Sequence, residues 1–343
     1  MSGTYRDAGV DLDEAQRAVE RIARAAAMTS TPAVLGGVGG FAGLFRFDPS
    51  AYRDPVLVSS TDPVGTKLKV AIGLKRFDTI GVDLVNQNVN DVAVVGADPL
   101  FFLDYLAVGR LRADVAEEIV SGVAAACAAA GIALIGGETA ELPDLYREGD
   151  FDLSGFVVGV ASKADLIDGT QVRAGDALLG LPSSGLHTNG YSLARRIFPE
   201  SAWGSTAPGL SRTIGEELLV PHRSYLDELR ALRRALRAAR GDLLACAHIT
   251  GGGWVGNVPR TLPAGLGVEV ESGSWSVPRI FTLIQQRGDV SDEEMVRTFN
   301  LGIGLTCVVR ADLAAEAIEA LPEVRRVGTV VAIEAGEPRV RFA

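Results

Sequence analysis

Short apolar runs alternate with helical stretches along this chain, and the alternation is irregular. Pro55–Ser60 reads as a strand, followed by a helix or turn around 66–75 and a helix near 80–95. Phe101–Val108 reads as the next strand, then a helix over 113–130 and strands over 132–135 and 156–161. Spacings of two and of three to four between apolar residues separate the two element types. Regular βαβ units would recur at a steady length, and these do not. The pattern predicts a mixed α/β (α+β) fold rather than a Rossmann fold. A first helix is expected over 11–28, before a glycine-rich loop at 35–45.

At 343 residues the chain exceeds one ordinary core, so two domains are expected. The sequence turns polar near Asp165–Gly175, which sets the expected domains at 1–168 and 169–343. The second opens on a strand, Ala177–Pro182, and ends strand 301–309, helix 311–320, strand 326–333. Between them a helix over 222–240 carries Leu226, Leu229, Leu232 and Leu236 on one face. The arginines opposite read as a solvated face rather than a binding patch.

Composition excludes several functions. A formal net charge of −10 repels a phosphate backbone, so no nucleic-acid partner is expected. Anionic substrates would need a cation, a few basic side chains or backbone N–H groups. The N-terminal residues lack a basic start and an apolar core, so no leader peptide is expected. Ile119–Gly137 is uncharged but rich in Ala and Gly, and it divides at Gly131 into helix and strand. No membrane span is expected. The three cysteines, Cys127, Cys246 and Cys307, are far apart and lack metal-ligand spacing. They read as buried thiols of a reducing, cytoplasmic compartment.

Three acids stand out by position. Asp62 follows the first strand, Asp91 lies in N-V-N-D, and Glu138 follows I-A-L-I-G-G. Carboxylates at strand ends suit Mg²⁺, which takes oxygen ligands from one or two carboxylates and from substrate phosphates. Lys67 and Lys69 lie close by in sequence as candidate phosphate contacts. Taken singly, Asp62 before Pro63 is also a turn signal, Asp91 also a helix cap, and Glu138 also a surface acid.

The loop at 36–43, including Gly39 and Gly40, does not match a phosphate-loop pattern; it is either a lid over a nucleotide or a flexible arm. Thr250-Gly251-Gly252-Gly253 precedes a helix expected at Trp254–Leu262. That run either offers N–H groups to an anion or simply connects two elements. His187 lies in S-S-G-L-H-T-N-G-Y-S and suits an acid, a base or a phosphate contact. His248 precedes the glycine run. His222 follows Pro221 and reads as a surface or capping residue.

Together these segments resemble one family. S-T-D-P-V-G-T-K at 60–67, V-N-D-V-A-V-V-G-A-D-P-L-F-F-L-D-Y at 89–105 and I-G-G-E-T-A-E-L-P at 135–143 are similar to its signatures. S-G-L-H-T-N-G-Y-S at 184–192, H-I-T-G-G-G at 248–253 and R-T-F-N-L-G-I-G at 297–304 complete the set. In order and spacing the chain resembles the aminoimidazole ribonucleotide synthetases from end to end.

The resemblance implies a two-domain subunit and a homodimer whose N-terminal domains pair into a barrel-like core. It implies ATP and Mg²⁺, with Asp62, Asp91 and Glu138 as metal and ATP ligands. Gly39, Gly40, Thr61 and Lys67 join them at the nucleotide. It implies catalytic roles for His187, Asn189 and Lys67. Ser184, His187, Asn189, Thr250, Gly251 and Gly252 would bind the substrate, formylglycinamidine ribonucleotide. Pro63 stands where the family usually has Gly, Val95 where Gln is usual, and Leu142 where Met is usual. Pro63 thereby removes one backbone N–H and fixes φ.

The expected chemistry is transfer of the γ-phosphoryl group to the formyl amide oxygen. An amidine nitrogen then closes the aminoimidazole ring. Rival readings are another ATP-using member of the same superfamily and a non-catalytic nucleotide-binding protein. A selenophosphate synthetase would carry a reactive Cys near its N-terminus, and here no Cys precedes Cys127.

Overall fold

The computed structural model describes residues 5, 7 and 9–343. The first residues of the stretch read against a leader peptide lie outside them. Two units form, one from the residues up to Val92 with Ala97–Ala164, the other from Ala93–Gly96 with Asp165–Ala343.

The first unit holds strands β1 (Pro55–Pro63), β2 (Asp98–Val108), β3 (Ala133–Glu141) and β4 (Phe151–Ser162). Its helices are α1 (Leu12–Ala27), α2 (Leu68–Leu74), α3 (Ile80–Ala93) and α4 (Ala113–Ala130). The sheet order is β1-β4-β2-β3, with only β2 and β3 parallel. A mixed sheet of this kind has one face to cover, and α3 covers part of it. Gly155 and Gly159 of β4 let α3 approach: a Cβ on Gly155 would meet Leu84 and Asn88 at 3.0 Å, and one on Gly159 would meet Val92 at 2.7 Å. α4 packs on β2 and β3, and α1 lies on α4. Gly131 ends α4 in the left-handed region, φ 71°, where Gly carries no steric cost.

The other face is open. Residues of β1 alternate exposed and half-buried, and Leu57 is 67% exposed. Phe156 of β4, in register with Thr61, is 42% exposed on the same side.

The second unit holds β5 (Ala177–Pro182), β6 (Ala245–His248), β7 (Leu266–Val270), β8 (Ile303–Val309), β9 (Arg325–Ala332) and β10 (Val340–Phe342). Its helices are α5 (Tyr191–Ile197), α6 (Ile214–Leu218), α7 (Leu226–Ala238), α8 (Gly253–Asn257), α9 (Arg279–Gly288), α10 (Asp292–Thr298) and α11 (Ala314–Ala320). The sheet order is β10-β7-β9-β5-β8-β6. The interior strands β5 and β8 are buried almost throughout, which explains their mostly apolar sequences, with Thr306 the polar exception. The leucine stripe of α7 is buried as its spacing predicts. Its arginines make ion pairs with acids: Arg233 and Arg237 meet Asp242, and Arg237 also meets Asp165.

Among the described residues, no helix is long and apolar enough to cross a membrane. All three cysteines are buried thiols, with Cys246 and Cys307 facing across β6 and β8 at 3.4 Å.

Candidate functional site

The acids expected after strands lie inside regular elements instead. β1 continues to Pro63 and β3 to Glu141, so Asp62 and Glu138 are strand residues. Asp91 sits in the last turn of α3. A helix laid over the end of β1 brings two of the three together. The Asn88 amide donates to the Asp62 carbonyl at 3.3 Å, and the Gln87 amide donates to the Pro63 carbonyl at 3.3 Å. One turn further, Asp91 Oδ2 accepts from Ser60 Oγ at 3.2 Å. Ser60 and Asp62 are two residues apart on one strand face, about 7 Å. Asp62 and Asp91 therefore share one edge of the unit, both half-buried.

Glu138 is elsewhere. Across the sheet, Asp62 pairs with Gly155, Gly155 with Asp104, and Asp104 with Gly137. Those residues share a face. Glu138 is next along β3 and pairs with Tyr105, so its side chain belongs to the open face, three strands or about 14 Å from Asp62. Thr61 is exposed on that open face too. Within one chain the structure does not gather Asp62, Asp91 and Glu138 around a single ion.

Glu138 does meet the glycine-rich loop. Gly39, Gly40, Glu138 and Asp104 line a cavity of about 240 Å³ beside α1. Asp104 was not among the sequence candidates. Its signal was an acid in the buried phase of an alternating strand, between Phe102 and Leu106. A Cβ on Gly137 would lie 2.1 Å from Asp104 Oδ1, so only Gly lets this carboxyl cross β3. Burial pushes the Asp104 carboxyl up to about 7.

An unfolded Asp ionises near pH 3.9. Between about 4 and about 7 the folded chain holds a proton that the unfolded chain has lost, so stability falls as pH rises. Asp104→Asn removes the penalty. The variant is expected to unfold at a higher temperature than the parent at pH 8, by up to about 4 kcal/mol of stability. At pH 4 this gain should vanish. Scanning calorimetry at both pH values checks it; equal gains at both would refute it.

Lys67 is fully buried, contrary to the open placement of a phosphate contact, and its Nζ lies 2.8 Å from Asp83 Oδ1. The cause is local: a 3₁₀ turn over Gly65–Lys67 runs straight into α2 and aims Lys67 at α3. Burial lowers the Lys67 pKa, and the Asp83 charge opposes that. Lys69 pairs with Asp150 at 2.6 Å.

In the second unit the candidate residues converge. The loop after β5 turns back on itself, and His187 takes a left-handed conformation, φ 60°. Its Nε2 accepts the Ser184 N–H at 3.2 Å. Asn300, from R-T-F-N, clamps the loop: it accepts from Ser183 Oγ at 3.0 Å and donates to the Gly185 carbonyl at 2.9 Å. The glycine run after β6 is held by Asn257, whose amide donates to the carbonyls of Thr250, Gly251 and Gly253. The helix that follows is shorter than expected, Gly253–Asn257, before a 3₁₀ segment. A Cβ on Gly251 would lie 3.3 Å from Asn189 Oδ1, so the two loops touch. Ser184, His187, Asn189, Thr250, Gly251 and Gly252 thus belong to two adjoining loops.

His222 overturns its reading as a surface or capping residue. It is 1% exposed, and its ring stacks on His187 with centroids 3.9 Å apart. Its Nε2 lies 2.9 Å from His248 Nε2. Nothing in its sequence neighbourhood marked it, because the contact joins residues far apart in the chain. Gly304 of β8 makes room for the cluster: a Cβ there would meet His187 Cε1 at 2.5 Å and Tyr225 Oη at 2.2 Å.

Residues 42–161 match the family described as AIR synthase related protein, N-terminal domain, and residues 173–341 match its C-terminal domain. A phosphoribosylformylglycinamidine cyclo-ligase of Anaeromyxobacter dehalogenans is 51% identical, over 98% of this chain and 97% of that protein. One of Oceanobacillus iheyensis is 44% identical over 100% and 99%. Among solved structures, hydrogenase maturation protein HypE in complex with ATP superposes with a TM-score of 0.66 at 18% identity, over 92% of this chain and 88% of that one. Thiamine-monophosphate kinase from Stenotrophomonas maltophilia gives 0.63 at 19%, over 95% of both. At those identities the likeness concerns fold.

Proposed function

The chain belongs to the AIR synthase family, whose relatives compared above are named phosphoribosylformylglycinamidine cyclo-ligases, and from that premise we propose that it closes the aminoimidazole ring of purine synthesis at the expense of ATP. It is a C–N bond-forming ligase. The substrate is formylglycinamidine ribonucleotide, and the products are 5-aminoimidazole ribonucleotide, ADP and phosphate. The observation that carries the reading is the end-to-end relationship to these ligases.

The amide oxygen of the substrate leaves poorly until it is phosphorylated. Transfer of the γ-phosphoryl group gives an iminophosphate, and attack by an amidine nitrogen expels phosphate. No side-chain nucleophile is needed; the protein orients its substrates, stabilises charge and excludes water. Mg²⁺ fits the half-buried oxygen donors Asp62 and Asp91, and when bound it would neutralise phosphate charge. The glycine-rich loop with Gly39, Gly40 and Glu138 suits the nucleotide. The loops carrying His187, Asn189 and Thr250–Gly252 suit the phosphorylated, polar substrate. Buried, reduced thiols and this chemistry fit the cytoplasm.

The test is incubation with ATP, Mg²⁺ and formylglycinamidine ribonucleotide. ADP and aminoimidazole ribonucleotide should appear one for one. ADP without the ring product would favour another ATP-using member of the superfamily.

The open face of the first sheet suits pairing with a second copy. Four strands cannot close a barrel, and exposed Leu57 and Phe156 are the kind of surface that a homodimer buries. Two such sheets facing each other would make a barrel-like core, with Thr61 and Glu138 at the interface. Light scattering should find a dimer, and Leu57→Asp with Phe156→Asp should shift it to monomer. A stable monomeric parent at working concentration would refute the pairing.

A further inference from the structure

We propose that His222 is the central link of a proton path running from the Thr188 hydroxyl to His248, which drains the proton released in ring closure. The proposal rests on the cyclo-ligase reading. Three contacts define the path. The Asn189 amide donates to Thr188 Oγ1 at 3.4 Å, Thr188 Oγ1 meets His222 Nδ1 at 3.3 Å, and His222 Nε2 meets His248 Nε2 at 2.9 Å. A nitrogen pair at 2.9 Å needs one N–H and one lone pair, so only one of these imidazoles donates. With His222 as donor, its Nδ1 is left as acceptor for the Thr188 hydroxyl. Each group then donates toward His248 in one direction.

Thr188 and Asn189 lie in the loop after β5, His248 ends β6, and His222 comes from the segment between α6 and α7. Asn189 stands beside Gly251, and His248 begins the glycine run, so the chain joins both candidate substrate loops through the interior. All three side chains are buried, with Thr188 at 8%, His222 at 1% and His248 at 5% exposed. Stacking on His187 fixes the plane of the His222 ring. Facing the pair are His187 and the Tyr225 phenol, which burial keeps protonated, with Arg223 over the Tyr225 ring and held by Glu228 and Glu323.

The amidine nitrogen forms its bond to carbon as the C–O bond to the phosphorylated oxygen breaks and phosphate leaves with that electron pair. The N–H proton passes to Thr188 Oγ1, whose own proton moves to His222 Nδ1. The His222 Nε2 proton moves to His248 Nε2, leaving an imidazolium there. His222 touches no substrate; it is a positioning residue that conducts for those that do.

The test uses His222→Phe, which keeps a flat ring against His187 and removes both nitrogens. Thr188→Val cuts the same path one link earlier, should the first variant fold poorly. Each is expected to lower kcat by ~100-fold, the low end of what one acid–base link contributes, and to leave KM within about twofold. The double variant should lose no more than the worse single one, because both cut one path. Nitrogen NMR of the substrate-free parent should show coupling across the His222–His248 hydrogen bond. Absent coupling, a kcat within about twofold of the parent, additive losses, or a stoichiometric metal ion held by His187, His222 and His248, whose ring nitrogens come within 4.8 Å of one another, would each overturn the path. The coupling is read without turnover, so a parent that shows it yet makes no ring product fails as a cyclo-ligase, a result separate from loss of the link.

Discussion

Asp62→Asn and Asp91→Asn are each expected to lower turnover by about 10²–10³-fold while the fold persists, since one well-placed electrostatic contact to a reacting phosphoryl group contributes roughly 3–4 kcal/mol. Both acids lie at the edge where α3 crosses the end of β1, which Gln87 and Asn88 fasten by donating to the carbonyls of Pro63 and Asp62 respectively. Those contacts survive either substitution, so circular dichroism should be unchanged. The loss should shrink as Mg²⁺ is raised, because a weakened site still fills at high metal. Glu138→Gln should also lower turnover strongly. Its position on the open face adds a distinction: its effect should depend on dimer formation, and those of Asp62 and Asp91 should not. Near-parental rates for all three at subsaturating Mg²⁺ would remove the acids from the site.

Removing one partner of the Lys67–Asp83 pair is expected to cost about 3–5 kcal/mol, because the other charge is left buried without its partner. Both side chains have no exposure, and their contact is 2.8 Å. Asp83→Leu should therefore destabilise the first unit markedly in urea titrations. Lys67→Met with Asp83→Leu should recover most of that loss, since an apolar pair of similar volume needs no ionic partner. Activity of the double variant separates two roles for Lys67. A stable but inactive double variant assigns Lys67 to the chemistry. Restored activity limits it to the fold. A single Asp83→Leu variant as stable as the parent would overturn the energetic argument.

Periodicity made the architecture legible in part. The leucine stripe of α7 and the apolar runs of β5 and β8 announced buried surfaces, and they are buried. The polar step near Asp165–Gly175 lies beside the change from one unit to the other at Ala164 and Asp165. Strand ends were harder. β3 runs on through two glycines and several polar residues to Glu141, because pairing with β2 supplies the hydrogen bonds that local propensity does not. That extension put Glu138 inside a strand, where the parity of the register decides its face. A shift between Phe102 and Leu103 inserts Ile135 into that count, and no local pattern announces it. The histidines show the same limit. His187 and His248 lie in polar, glycine-bearing segments of the kind that carry ligand contacts. His222 does not; its setting is made by loops from elsewhere in the chain.

The glycine-rich loop differs from a free arm in how its ends are fastened. Leu35 N donates to the Leu44 carbonyl at 2.9 Å and Arg46 N to the Ala33 carbonyl at 2.7 Å, around a bridge between Val34 and Phe45. Gly43 lies against Ile135, the extra residue of β3, so the returning limb is seated on the sheet. The entropy of bringing the two ends together is therefore already spent in folding. What a ligand must still immobilise is the tip, Gly36 to Ala42, with the Phe41 ring fully exposed there. In the nucleotide reading proposed above, ordering that tip would cost roughly 1–2 kcal/mol per residue fixed, so each residue left unfixed in the bound state would ease release.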